Sequence, residues 1–473
     1  MTSSAPGPRP RGSRVGAAVA ALSVGTVLNP LNSSMIAVAL VSLQRDFRVD
    51  VTTVTWVITS FYLASAAGQP LMGRLADRFG PRRLFLFGMI VVAIACAVTP
   101  FVQSFAAVCA GRVALAIGTA TAFPSAIAML RPLSAGTDVG TPRLLGRLQI
   151  ANTSGAAIGP VLGGALVTFL GWQSIFWVNV PLAALAFVGV WVFAPRDAER
   201  ERVPLSRTLA ESDIPGILLF VTTLTALLVF LLDLSPAPLW WLLPIFAAAG
   251  AAFVWRELRT RHPFLDLRLL AANRRLMMVY LCFAIFSVVY YSAFFGLPQY
   301  LQAHAGYPAG IAGLLMFPLA AVTIVATPLA ARAIERVGLR RTLLWGASSL
   351  IVGAALLGVA TVSTAPWVVL VLTAALGIPY CVVSISMNQA LYASARPEDS
   401  GVAAGIFQTS RYVGAIVATT LLGLLFSSGT TGGSWLTAVA VATGLAVVHL
   451  GLLVFVRPGG RAAGAADGAT ATP

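Results

Sequence analysis

The chain of 473 residues is 58% hydrophobic and only 10% charged, with a mean hydropathy of +0.87. Soluble domains carry roughly 25% charged residues, so this composition cannot coat a water-exposed surface and the chain belongs in a bilayer. The formal net charge of +15, from 31 basic against 16 acidic residues, would suit a nucleic-acid binder until the charges are located.

A membrane span needs about 20 mostly apolar residues, and the sequence offers about fourteen such stretches. Residues 1–14 are Pro-rich and basic and read as a cytoplasmic tail. Spans are expected near 15–42, 54–74, 84–102, 105–130, 145–170 and 174–194, forming an N-terminal unit over residues 15–195. Two further spans, near 214–232 and 238–255, sit between charged connections within residues 196–275. The last six, near 276–303, 307–331, 342–362, 366–393, 401–426 and 434–456, form a second unit over 276–456, and residues 457–473 are a tail.

Every basic residue is Arg, and the arginines fix the orientation, because cytoplasmic loops retain basic residues. With the N-terminus inside, external connections hold only Arg45 and Arg48, and span interiors hold only Arg112 and Arg411. All other arginines fall in the tails, in the alternate connections assigned to the cytoplasm, or at the span ends beside them (Arg74, Arg147), which also accounts for the basic charge without nucleic acid. Cys96, Cys109, Cys282 and Cys381 lie in apolar runs with no metal-ligand spacing and read as packing residues.

An internal repeat divides the chain. After the second span it reads Gly73-Arg74-Leu75-Ala76-Asp77-Arg78-Phe79-Gly80-Pro81-Arg82-Arg83, and after the tenth Ala331-Arg332-Ala333-Ile334-Glu335-Arg336-Val337-Gly338-Leu339-Arg340-Arg341. Acid, Arg, Gly and paired Arg recur at the same spacing. Related halves are how many transporters build a midplane site with alternating access. A carboxylate at this turn can meet a helix N-terminus or an Arg across the seam and latch one conformation; a basic loop that merely sets topology is the plainer alternative. Span five carries Gly155-x-x-x-Gly159-Pro160-x-x-Gly163-Gly164. Glycines four apart let helices approach closely and the proline bends the helix, with generic packing as the alternative.

On these residues the chain resembles the major facilitator superfamily, and its fourteen-span drug:proton antiporter (multidrug efflux) branch in particular. The turn around Gly73, Asp77, Arg78, Gly80, Arg82 and Arg83 is similar to that family's gating motif, with Glu335, Arg336, Gly338 and Arg340 as a weaker second copy. The Gly-Pro pattern of span five resembles the antiporter motif of its export branches, and Trp172 to Pro181 resembles the start of its span six. Arg261 to Arg268 and Gly401 to Gly414, with Gln408 and Arg411, extend the resemblance over nearly the whole chain. It implies an all-α integral membrane protein of two six-helix bundles (the major facilitator fold) plus two inserted central helices, about fourteen transmembrane helices in all.

Two departures from that branch bear on function. Asn32 occupies the place of its span-one Asp, and span four keeps Arg112 but has Leu115 and Ala116 where Gln and Gly are usual. No acid lies near the bilayer centre, so a buried Arg112, which costs several kcal/mol unless paired, must find Asn32, carbonyls, water or an anionic substrate group. Depth arithmetic puts Asn32 and Arg112 each roughly 10 to 15 Å from the outer helix ends, close enough to face each other. The missing carboxylate favours neutral, zwitterionic or acidic lipophilic compounds over cations. Asp77, Asp233 and His304 remain as proton carriers, and whether Asp77 titrates or only gates is left open. Polar and aromatic residues expected to line a central cavity are Asn29, Asn32, Ser33, Tyr62, Arg112, Asn152, Tyr290, Tyr291, Gln299, Gln408 and Arg411; His449 reads as a packing or interfacial residue.

The expected activity is secondary-active efflux of lipophilic small molecules by proton antiport with alternating access, from a monomer in the cell membrane with both termini cytoplasmic. No cofactor, metal or nucleic acid is expected; the partners are substrate, protons and membrane lipid. An importer or exchanger on the same fold, or a non-transporting sensor or assembly partner in the membrane, are the alternatives. No metal cluster, nucleophile elbow or phosphate loop suggests an enzyme.

Overall fold

The computed structural model describes residues 12–134, 141–197, 213–232, 239–260, 263, 267–268, 273–395 and 400–455. These residues are helical throughout their ordered elements, with no strand among them. In chain order the helices are α1 (Gly12–Phe47), α2 (Trp56–Phe79), α3 (Pro81–Val98), α4 (Phe105–Ala120, resuming as Ala122–Ser134), α5 (Thr141–Leu170) and α6 (Asn179–Phe193). Then follow α7 (Ile214–Leu232), α8 (Leu242–Glu257), α9 (Arg274–Ala303), α10 (Ala309–Leu315, resuming as Phe317–Val337), α11 (Leu339–Leu356), α12 (Pro366–Ser394), α13 (Ser400–Leu425) and α14 (Gly432–Phe455).

Eleven of the helical segments among the described residues are long and apolar enough to cross a membrane. The expected spans seven, eight and thirteen are also helical, as α7, α8 and α13. Several helices outrun the apolar stretches that announced them: α1 continues to Phe47 with Arg45 in its last turn, and α2 reaches Phe79 with Arg78 in its last turn. Backbone satisfaction explains this, because a helix pairs its own polar groups and gains nothing by ending where the hydrocarbon ends.

Starts and stops follow local chemistry. Ser104 and Asn273 cap α4 and α9 by accepting from the amides of Ala107 (3.2 Å) and Leu276 (3.0 Å), each satisfying an amide with no intrahelical partner. α3 and α12 open on Pro81 and Pro366, whose missing N–H costs nothing in a first turn. Prolines inside α1, α5, α9, α10 and α12 (Pro30, Pro160, Pro298, Pro328, Pro379) are tolerated where neighbouring helices satisfy the freed carbonyls.

α1 packs along α5 and α6, α2 on α4, and α3 on α4 and α6; among the later helices α9 packs on α13 and α14, α10 on α12, and α11 on α12 and α14. The inserted helices α7 and α8 pack on each other, and α7 touches both α2 and α13. The first six helices meet the last six along α2–α13, α5–α10 and α1–α9. The end of the molecule holding Gly12 and Phe455 is called the termini end below, and the opposite end the far end.

Candidate functional site

The two halves are sealed at the far end. The amide of Gly310, at the start of α10, donates to Thr168 Oγ1 near the end of α5 (2.7 Å), Thr52 Oγ1 donates to the carbonyl of Gly423 (3.1 Å), and the hydroxyls of Thr59 and Thr419 lie 3.1 Å apart. The Gly-Pro motif of α5 builds this seal. Gly155, Gly159 and Gly163 face Val27, Ser34 and Met35 of α1, and a Cβ at Gly163 would lie 2.8 Å from the Met35 carbonyl oxygen. Gly164 turns toward α10, where a Cβ would lie 2.7 Å from the Ala309 carbonyl, and the Pro160 carbonyl abuts Gly313. One motif thus holds α5 against α1 and closes the seam.

At mid-depth Arg112 is buried, with two of its three guanidinium nitrogens bonded. Its Nε donates to the Val57 carbonyl (3.1 Å), one terminal nitrogen donates to the Asn32 carbonyl (3.3 Å), and the guanidinium lies 4.3 Å over the Phe61 ring. A desolvated cation over an aromatic face is worth about 2 kcal/mol, so carbonyls and a ring take the place of a counter-ion. Arg112 and Asn32 do meet, but through the Asn32 backbone. The Asn32 side chain pairs instead with Asn179 of α6 in two reciprocal amide bonds (2.6 and 2.9 Å), locking α1 to α6.

Asn29 donates to Thr119 Oγ1 (3.0 Å) and accepts from the Tyr412 hydroxyl (3.5 Å), which in turn accepts from Gln69 Nε2 (2.5 Å). This polar chain joins α1, α2 and α4 to α13 across the halves. Tyr62 stands edge-on to Tyr291 (ring centroids 5.6 Å apart) and tilted against Tyr412 (5.6 Å); Tyr290 lies beside Tyr291 (5.1 Å) and stacks on Tyr380 (4.0 Å). Arg411 sits at this cluster, its guanidinium 5.4 Å from the Tyr412 ring centre. The structure therefore brings Asn29, Tyr62, Tyr290, Tyr291 and Arg411 together. Ser33 and Asn152 bond carbonyls of their own helices (Pro30, 2.9 Å; Leu148, 2.9 Å), Gln299 is buried, and Gln408 is half-buried one turn before Arg411.

Toward the termini end the same seam parts around a cavity of about 350 Å³. Ile150 and Ser154 of α5 face Thr323, Ile324 and Thr327 of α10 and Tyr380, Cys381, Ser384, Ile385, Asn388 and Gln389 of α12 across it. The wall is uncharged, with hydroxyls and amides set among apolar groups. Tyr380 belongs both to this wall and to the tyrosine cluster, and so connects the two.

The repeated turns lie at the termini end. Gly80 holds φ +95° between α2 and α3, where the Asp197 carboxylate, just after α6, accepts from the amides of Arg82 and Arg83 (3.0 Å each). Those amides belong to the first turn of α3, so an anion caps a helix N-terminus. Arg82 also reaches the carbonyls of Val190 (3.5 Å) and Trp191 (2.5 Å) and lies over the Trp191 ring. Arg74 donates to the Pro263 carbonyl (2.7 Å), Gly73 faces Pro124, and Arg78 is half-buried. Asp77 lies on α2, but its side chain is outside the described residues, as are Asp233, the segment 264–266, residues 1–11 and residues 456–473. In the second copy Gly338 holds φ +88°, Glu335, Arg336 and Arg340 are exposed, and a Cβ at Gly338 would meet nothing within 4 Å among the described residues. His304 is exposed at the end of α9 and stacks on Tyr300, while His449 is buried with Nδ1 3.0 Å from the Cys282 carbonyl.

A sequence model of the Major Facilitator Superfamily matches residues 22–419. The chain belongs to the Major Facilitator Superfamily. It is 36% identical over 414 residues to the "Uncharacterized MFS-type transporter YwoD" of Bacillus subtilis (strain 168), covering 86% of this chain and 89% of that one. It is 30% identical over 433 residues to the "Tetracenomycin C resistance and export protein" of Streptomyces glaucescens, covering 86% and 75%. A solved structure of a POT family transporter in complex with 5-aminolevulinic acid superposes with a TM-score of 0.69 at 14% identity, covering 93% of this chain and 96% of that one, a likeness of fold. The protein is thus a multi-pass membrane transporter and not an enzyme.

This facilitator also holds groups that the sequence reading did not single out. Asn179 and Asp197 are first-rank contacts, yet one looks like an ordinary span-six amide and the other like a loop acid. Asp213 and Glu257 fall in the charged connections that flank the inserted spans, yet both are buried. Asp213 pairs with Arg256 (2.6 Å) and caps α7 through the Gly216 amide (3.1 Å); both carboxylates crowd Gly216 and act electrostatically on Arg74. A signal existed: each acid sits within one residue of an apolar helix end, where a carboxylate can tuck under the insertion.

Proposed function

We propose that this transporter is a secondary-active exporter of lipophilic small molecules, working by proton antiport with alternating access. One observation carries the reading: the halves are closed at the far end while an uncharged, amphipathic cavity separates α5 from α10 and α12 at the termini end. With fourteen spans and both termini in the cytoplasm of a cell-membrane monomer, as the arginine distribution supports, this is an inward-facing state ready to load from the cytoplasm. Relatives named as resistance and export proteins favour that direction. A gradient, not a bound cofactor, supplies the energy in this reading, and lipid and protons are the other partners. The two six-helix units rock about the seam, with α7 and α8 laid across it.

Everted membrane vesicles energised with a proton gradient test the proposal, with a lipophilic cation compared against a neutral and an acidic compound. Accumulation of the neutral or acidic compound that a protonophore and Asp77→Asn both abolish supports proton-linked export. Accumulation that ignores the protonophore, or flux in the opposite direction only, overturns it.

A further inference from the structure

The two intramembrane arginines differ in what they hold. Arg112 is fully buried with two of its nitrogens on carbonyls and its guanidinium over a ring, only its second terminal nitrogen lacking a partner among the described residues. Arg411 lies eleven residues into α13, about 16 Å along the helix, and its Nε is buried with no hydrogen-bond partner among the described residues. No carboxylate among them pairs with it. A cation at this depth is expensive and is kept where it serves a pathway or a ligand.

Its surroundings point to a ligand. Its guanidinium lies 5.4 Å from the Tyr412 ring centre, and Tyr412 meets Tyr62, Tyr62 meets Tyr291, Tyr291 meets Tyr290 and Tyr290 stacks on Tyr380, so a chain of five phenol rings from α2, α9, α12 and α13 runs from the guanidinium to Tyr380. Arg411 is half-buried at the middle of its helix, beside this chain of rings. Tyr380 carries the cluster into the cavity wall, which holds no charge. An arginine offers a planar fork of donors that matches a carboxylate, and tyrosine faces suit a flat ring system.

We propose that Arg411 and its tyrosines form the recognition site for a flat aromatic substrate bearing one ionised acidic group, a carboxylate or phenolate, with the acid on the guanidinium and the rings in the cavity against Tyr380. The inference deepens the export reading and relies on it only for the direction of transport, since binding can be read without a gradient.

The test uses the purified full-length transporter in lipid nanodiscs, with 1-pyrenebutyric acid and its methyl ester as fluorescent probes and empty nanodiscs as the background. Wild type should bind the acid more tightly than the ester, and acid affinity should fall as pH drops through the acid's own pKa while ester affinity stays level. Arg411→Gln should weaken the acid by about tenfold or more, as expected for a lost charge-assisted hydrogen bond, and leave the ester within about twofold. Arg411→Lys should recover part of the loss. Equal binding of acid and ester by wild type, or an equal loss of both in Arg411→Gln, overturns the proposal. The wild-type pH series needs no variant, so a misfolded Arg411→Gln cannot rescue or sink it. Failure of vesicle export with this binding intact would count against the transport reading alone.

Discussion

Both copies of the repeated turn place a glycine at positive φ between two helices, +95° at Gly80 and +88° at Gly338, but among the described residues only the first binds a carboxylate from a distant segment. Around Gly80, Asp197 caps α3, Arg82 reaches back to α6, and Arg74 lies beside the buried Asp213 and Glu257 of the inserted pair. Around Gly338 the corresponding Arg332, Glu335, Arg336 and Arg340 are exposed. The same spacing therefore encodes the same backbone turn, while its use as a clasp depends on what distant segments bring to it. The first copy ties α2, α3, α6 and the insertion into one body at the termini end; the second has no such partner among the described residues.

Substitutions can break this contrast. The largest difference is expected for alanine at the two glycines. Gly338→Ala meets only backbone strain, about 1–2 kcal/mol. Gly80→Ala carries the same strain and also drives a methyl group into Asp197, whose Cβ would lie 2.8 Å away, so its loss of stability should be about 3 kcal/mol or more. Thermal unfolding of both variants in the same detergent decides; equal losses would mean that the Asp197 contact contributes nothing.

Arg74→Ala comes next, because it removes one of the cations near the buried Asp213 and Glu257, with Arg256 still paired to Asp213, and a loss of about 1–3 kcal/mol is expected. Arg332→Ala should leave the melting temperature where it is. A double-mutant cycle with Asp213→Asn separates charge pairing from the bond to Pro263. Asp197→Ala should then cost about 1–2 kcal/mol, the usual range for a lost helix cap with a favourable dipole, against no measurable change for Glu335→Ala. The smallest effect is at the paired arginines: Arg82→Gln should cost about 1 kcal/mol through its carbonyl bonds, and Arg340→Gln nothing that calorimetry resolves.

Much of the fold was legible because a bilayer forces it: apolar runs must be helices, and arginine placement orders them. The repeated turn was legible because it is local, its glycine, acid and arginines lying within three helical turns. The contacts that make the first copy a clasp were not, since Asp197 is far from Arg82 in sequence and arrives by the packing of α6 on α3. Depth along a helix can be counted, which is why Arg112 and Asn32 were expected to face each other. Azimuth cannot be read as easily, and so the partner atom proved to be the Asn32 carbonyl while its amide turned to Asn179. Likewise Tyr380, which joins the cavity to the tyrosines, sits in α12 among apolar residues with nothing in the local pattern to mark it.

The central claim is that the seal at the far end must part in each transport cycle. Thr59→Cys and Thr419→Cys, replacing hydroxyls 3.1 Å apart, allow the seam to be locked in a background where Cys96, Cys109, Cys282 and Cys381 are serine. Oxidation should abolish transport in vesicles, and reductant should restore it. Undiminished transport by the crosslinked protein would contradict the account.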